Sequence, residues 1–290
     1  MAKFNQIERK LADILNSAPK IKEALKRIYI SVNYRLYKEK KTIKLNDQYK
    51  ITSASDFFQV KLNAPYFFGY YDISPWSMDN QFYLVHEFKD KVTLNILLLS
   101  NGNKQVIGTT SAWNWQQGSM LQWLDHEKII YNDFNDGALG SYIFNTRTQD
   151  REFIPYPVQA VFKQGALFLS INYNTLTKLR PEYGYSQLGN NFEELPAEKD
   201  GIWEVNYKSK KASLILSLED LKGLIPKRDN HVSSKINHVT YSPDGLGVVF
   251  MLRWYLQSGE KKSQLLYFSK ENKKISVLLN NKVVSHYSWL

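Results

Sequence analysis

Two histidines and two arginines, each set among aromatic residues, carry most of the chemistry this sequence could perform. His238 lies in INHVTYSPDG and His286 in VVSHYSWL. Aligning the two stretches offsets the histidines by two residues, so on extended strands both project from the same face. Two imidazoles on one face, joined by Asp72 or Gln117, could hold a divalent ion such as manganese or calcium. Arg180, in LRPEYGYS, offers a planar fork for a carboxylate or phosphate, and Tyr183 and Tyr185 flank Gly184 as flat contact surfaces. Arg253 repeats an arginine–aromatic pairing in MLRWY. An anionic sugar would use these groups, arginine for a uronate carboxylate and aromatic rings for the pyranose. In a β-elimination on such a sugar, Arg180 or a metal would stabilise the developing enolate while His238 removes the C5 proton. Salt bridging and cation–π packing between structural elements is the competing reading.

The uncharged run TSAWNWQQGSMLQWL, residues 110–124, holds three of the seven tryptophans and three glutamines. Indole faces stack on sugar rings, and amides bond hydroxyls without adding charge. Trp113, Trp115, Gln116 and Gln117 are therefore candidate sugar contacts, together with Tyr71 and Asp72 of FFGYYDISPW. The alternative is that the tryptophans fill space between packed sheets, which suits the glutamines less well because a buried amide needs partners.

These residues need a scaffold, and the chain divides into two parts. Residues 1–45 read as a basic leader of amphipathic helices, with Ile21, Leu25, Ile28 and Val32 on one face of the second. Residues 1–44 contain twelve Lys/Arg and four Asp/Glu, so +8 of the net charge of +10 sits there. Such a helix can dock on its own body or lie on an anionic membrane surface. Nucleic acid is not an expected partner, because the remainder is nearly neutral and carries no nucleic-acid motif. With no cysteine, disulfides, thiolate metal sites and a cysteine nucleophile are excluded. The N-terminus has no apolar signal region, and no stretch is long and apolar enough to span a bilayer; a cytoplasmic or peripheral inner-membrane location is expected. No GxSxG, P-loop, GxGxxG or HExxH occurs.

From residue 57 to 290 the pattern becomes short strands separated by turns. Segments 67–88, 115–134 and 236–255 can be laid over one another, with 283–290 as the start of another copy. Repeats of this length, each several strands with a Ser-Pro-Asp-Gly type of turn, indicate an all-β fold, a β-propeller. The expectation is four blades plus the first strand of a fifth. An incomplete ring of that kind would leave an open sheet edge and points to a longer parent chain.

FFGYYDISPW, TSAWNWQQGSMLQWL, LRPEYGYS and INHVTYSPDG with VSHYSW together resemble a family of bacterial propellers. These are similar to the TolB-like and oligogalacturonate-lyase-like propellers associated with surface polysaccharide biosynthesis. The resemblance runs from about residue 65 to the C-terminus and also accommodates a basic helical leader. It implies a histidine and glutamine metal site and an acidic oligosaccharide or polysaccharide as partner, although the full metal-ligand set is not present. Two functions follow as expectations. One is carbohydrate binding or modification, including metal-assisted lysis of an acidic glycan. The other is a non-catalytic scaffold that organises polysaccharide enzymes at the inner membrane.

Overall fold

The structure, a computed structural model, describes residues 24–25, 28, 31–32, 52–189, 194–280 and 286–289. The first described sheet contains β1 (Tyr66–Phe67), β2 (Tyr83–Phe88), β3 (Leu94–Ser100) and β4 (Asn103–Thr110). The second contains β5 (Gln122–Trp123), β6 (Lys128–Asn135), β7 (Ala138–Asn145) and β8 (Arg151–Ile154). The third holds β9 (Ala160–Phe162), β10 (Leu167–Ile171), β11 (Gly201–Asn206) and β12 (Lys211–Ser217). The fourth holds β13 (His231–Tyr241), β14 (Gly247–Leu256), β15 (Lys261–Ser269) and β16 (Ile275–Asn280). Strands neighbouring in each sheet are consecutive in the chain and antiparallel, so the fold is all-β and propeller-like.

Side-chain and backbone turn chemistry explains why the sheets repeat. Ser77 bonds Asp79, whose carboxylate accepts from Gln81 N–H; Ser242 and Asp244 repeat this with Leu246 N–H. Between the last two strands of a sheet, an asparagine carbonyl caps the turn: Asn145 accepts from Arg147 and Thr148, Asn206 from Lys208 and Ser209. Alternation then divides each strand. Val248, Phe250, Leu252 and Trp254 of β14 enter the main core, which runs through the second, third and fourth sheets. A second cluster, including Leu84, Ile96, Trp123 and Tyr131, joins the first sheet to the second. No sheet buries both faces alone, so stacking is what makes the fold stable.

Two additions matter for the site. Helix α1 (Ala54–Phe57), capped by Ser53, leads Phe58 onto Val85, Leu97 and Leu99 of the first sheet. Helix α2 (Tyr173–Leu179), capped by Asn172, interrupts the third sheet and delivers the LRPEYGYS loop. Gly184 is required there, since a Cβ would lie 2.3–2.6 Å from Thr177 of α2.

Most of the expected leader lies outside the described residues. Ala24, Leu25, Ile28, Ser31 and Val32 are helical, with Leu25, Ile28 and Val32 exposed. The expected opening strand of a fifth blade lies partly outside as well, and residues 286–289 are not in a strand. Tyr287 nevertheless joins the fourth sheet: its hydroxyl donates to the carbonyls of His238 and of Val249, the latter at 3.0 Å. Among the described residues no helix is long and apolar enough to cross a membrane.

Candidate functional site

The pairing of β13 with β14 slips between Asn237 and Thr240, and inside that irregularity His238 adopts a left-handed backbone, φ 51°. A bulge re-aims a side chain, and a non-glycine residue at positive φ is a conformation the surroundings must hold in place. The bulge turns His238 into an aromatic cage. Its Nδ1 shares a 2.9 Å hydrogen bond with the Tyr70 hydroxyl, and the two rings lie parallel within 10° at 5.6 Å. Tyr183 meets it edge-on at 5.2 Å, and the His286 ring lies 6.1 Å away. Tyr71 packs edge-on against His286 and donates its hydroxyl hydrogen to Tyr287 O.

A group of cations stands beside this cage. Lys235 lies opposite Arg253 in the β13–β14 ladder, and Asn237 lies opposite Met251. Strand alternation puts these four on the face away from Ile236 and Leu252, which enter the main core. Arg180 approaches from the loop after α2, its guanidinium 5.0 Å from the Tyr183 ring centre and its Nε paired with Glu182. Lys235 is 1% exposed, and its Nζ has no hydrogen-bond partner among the described residues. The same holds for Nη1 of Arg180 and for both amide atoms of the buried Asn237. Leaving such a group unsatisfied costs roughly 1–3 kcal/mol.

The electrostatics follow from this crowding. Burial, then the charges of Arg180 and Arg253, pushes the Lys235 amine down to about 6, with Glu182 opposing the shift. Burial, then the charges of Arg253, His286 and Arg180, pushes the His238 imidazole down to about 3. At neutral pH both are uncharged and face two permanent cations. The arrangement is built to receive negative charge.

Below the bulge a cavity of about 600 Å³ is lined by Tyr71, Asp72, Gln122, Gln159, Thr240 and Tyr287 among others. It is where the third glutamine of the uncharged run comes to lie, its Nε2 donating to Met120 O.

The structure thus brings together Arg180, Tyr183, His238, Arg253 and His286, with Tyr71 and Asp72 at the cavity. Other candidates lie elsewhere. Tyr185 is not a contact surface: it is fully buried, stacks on Tyr173 at 4.6 Å and accepts a hydrogen bond from Asn132. Trp254 does not pair with Arg253, because strand neighbours point to opposite faces; its indole N–H donates to Asp229 in the core. Gln117 is buried, and its backbone carbonyl lies 2.9 Å from where a Cβ on Gly69 would stand. Trp113 and Trp115 form part of a separate aromatic surface against Phe67 and Phe88 of the first sheet, and Gln116 beside them is exposed, its backbone N–H donating to Asn114. No group of three or more His, Asp or Glu side chains suited to a metal occurs among the described residues, and the charges of Arg253 and Arg180 bear on His238.

Tyr70 and Lys235 were not evident in the sequence. Tyr70 stands next to Tyr71 in a motif rich in aromatics, so nothing marks which ring turns inward. Lys235 reads as an ordinary strand lysine in SSKIN. Its one signal is its spacing of two before Asn237 on the strand that also carries His238.

No family profile and no curated protein matches the chain. Among solved structures it is similar to TolB from Acinetobacter baumannii, with 12% identity, coverage of 75% of this chain and 44% of that one, and a TM-score of 0.43. It is also similar to an oligogalacturonate lyase in complex with manganese, with 13% identity, coverage of 76% and 67%, and a TM-score of 0.38. The oligogalacturonate lyase from Vibrio parahaemolyticus gives 11%, 77% and 68%, and 0.38. The chain therefore spans less than half the length of that TolB. These neighbours are TolB-like β-propellers, the type that the sequence motifs resemble. Identities of 11–13% with TM-scores below 0.5 do not bear on the chemistry of the site.

Proposed function

We propose that the chain binds an acidic carbohydrate, with the sugar's carboxylate among Arg180, Arg253 and Lys235 and its ring against Tyr70 and Tyr183. One observation carries the reading: an amine, a guanidinium nitrogen and a primary amide are buried together with no hydrogen-bond partner among the described residues. A carboxylate supplies acceptors to all three and offsets the positive charge. The experiment is calorimetric titration of galacturonate and of galactose into the purified protein. Binding of the acid alone, weakened about 10–100-fold in Arg180→Ala, supports the reading. Equal affinity for the two sugars contradicts it.

Binding is better supported than cleavage. A histidine at about 3 is a weak base at neutral pH, and the best general base lies near the working pH. In a lyase reading, the bound carboxylate would raise His238 toward its ordinary range, and the arginines would stabilise the enolate. A rise in ultraviolet absorbance from an unsaturated product, lost in His238→Ala, would establish cleavage.

A second reading is favoured by the exposed Leu25, Ile28 and Val32 on one helical stretch of the basic leader. An apolar stripe among lysines and arginines suits an anionic bilayer surface. It supports a peripheral scaffold on the cytoplasmic side of the inner membrane, working with polysaccharide-forming enzymes. Salt-sensitive sedimentation with anionic vesicles, lost on deletion of residues 1–44, is the expected result; unchanged sedimentation after the deletion contradicts it.

A further inference from the structure

The turns between the third and fourth strands of the four sheets are alike in shape and unlike in charge. They read LSNGN (99–103), TRTQD (146–150), YKSKK (207–211) and KENKK (270–274). The fourth residue of each is left-handed: Gly102, Gln149, Lys210 and Lys273, at φ 69°, 65°, 57° and 55°. Glycine suits that position best, so lysine stands in two of the turns against backbone preference. The first two turns carry no net charge, whereas the last two hold six lysines and one glutamate in ten residues. Lys210 pairs with Glu152 and Lys270 with Glu204. Lys208, Lys211, Lys273 and Lys274 are exposed.

These turns lie at one end of the body. Lys270 N–H donates to Leu246 O, and Tyr207 N–H to Ala166 O, so in the third and fourth sheets the turn between the first two strands lies beside the lysine turn. Phe162 and Tyr241, at the ends of β9 and β13, meet at 5.5 Å, and the Lys210–Glu152 pair reaches β8. Gln105 of β4 donates to Gln149 at 2.6 Å, and Gly102 N–H donates to Phe58 O just after α1, where the leader joins the body. Leu246 is exposed at this end, and Trp289, also exposed, lines the cavity there with Lys163 and Pro243. The cage lies towards the other end. Arg180 enters from the β10–β11 connection, and Lys235 is roughly 20 Å of strand from the β13–β14 turn.

We infer that the lysine end of the body is a membrane-contact surface, with Lys208, Lys211, Lys273 and Lys274 against the headgroups of an anionic bilayer and Leu246 at the interface. The cage then faces away from the lipid. A bilayer is the occupant that fits, because lysines are point charges suited to a diffuse anionic surface, an apolar side chain stands among them, and the basic leader joins at the same end. The inference rests on the bilayer reading of the leader and adds to it the orientation of the body.

The test is sedimentation of the full chain with vesicles of equal parts phosphatidylcholine and phosphatidylglycerol. One variant carries Lys208→Glu, Lys211→Glu, Lys273→Glu and Lys274→Glu; a milder one carries glutamine at the same positions. A control carries Lys89→Glu and Lys91→Glu, exposed in the β2–β3 turn at the cage end. Urea midpoints check that each variant is folded. The glutamate variant should bind about tenfold or more weakly, the glutamine variant by a smaller factor, and the control within about twofold of wild type. A folded glutamate variant that binds vesicles like wild type overturns the inference and leaves the leader reading standing, even if it loses affinity for duplex DNA. Loss in the control equal to that in the glutamate variant also overturns it, because charge is then felt without orientation. No vesicle binding by wild type overturns both readings together.

Discussion

His86 and His238 are both buried imidazoles pushed well below the ordinary histidine range, to about 4 and about 3, and burial is the main cause in each. Their surroundings differ. Both ring nitrogens of His86 are occupied, one with Phe68 O at 2.5 Å and the other with Ser119 Oγ at 2.8 Å. Gly118 packs so closely that a Cβ there would lie 2.5 Å from the ring. No orphaned cation stands nearby; the residues that act on His86 electrostatically are backbone groups. The His238 ring hydrogen-bonds to Tyr70 and sits beside two arginines and the Lys235 amine, which has no hydrogen-bond partner among the described residues. A depressed histidine is therefore not itself a site. What distinguishes the His238 surroundings is that Lys235, Arg180 and Asn237 bring several buried polar atoms without a hydrogen-bond partner among the described residues to one place.

The largest effect expected from breaking this contrast is on the satisfied side. His86→Ala removes a residue that ties the Phe68 and Ser119 segments together, and should cost about 3 kcal/mol in denaturant unfolding with sugar affinity unchanged in the folded fraction. The opposite pattern is expected for Lys235→Met, which fills the same volume without an orphan amine. It should raise stability by about 1–2 kcal/mol and abolish most acid-sugar binding. A loss of stability in Lys235→Met would show that the amine is satisfied by a partner.

The pH dependence sharpens the comparison further. Lys235 is lowered from 10.5 to about 6, so between those values the unfolded chain binds the extra proton, and stability rises with pH across that window. For His238 the same sign applies between about 3 and 6.5, and for His86 between about 4 and 6.5. Lys235→Met should flatten the slope above pH 6.5 and leave the acid limb in place, as read from urea midpoints across pH. The smallest effect is expected from metal. Manganese or calcium alone should leave the melting temperature within about 1 °C, because the charges of Arg253 and Arg180 bear on His238. A clear rise would establish a metal site that the donor set does not suggest.

Much of the fold was legible because turns are local. The Ser–x–Asp turns and the asparagine-capped hairpins are written in adjacent residues, and they set the repeat. The pairing of Arg180 with Tyr183 was legible for the same reason. What could not be read was which face a residue takes when the strand slips. The bulge at His238 has no residue signature, since nothing in NHVTY demands a left-handed histidine. Tyr185 was misplaced because Thr177, eight residues earlier, folds the loop back and drives the ring into the core. The run 110–124 left its tryptophans open between sugar contact and packing between sheets; Trp115 lies exposed and Trp123 is buried in the core. The separation of Trp113 and Trp115 from the cage depends on Phe67 and Phe88, partners more than twenty residues away.

The account stands or falls on whether the buried cations receive an anion. At pH 8 Lys235 is uncharged, and a carboxylate placed beside it should draw a proton onto the amine. Titrating galacturonate at that pH in buffers of different ionisation enthalpy should show uptake of up to about one proton, absent in Lys235→Met. Binding with no proton uptake, or binding unchanged in Lys235→Met, would contradict the assignment of this cluster as the site.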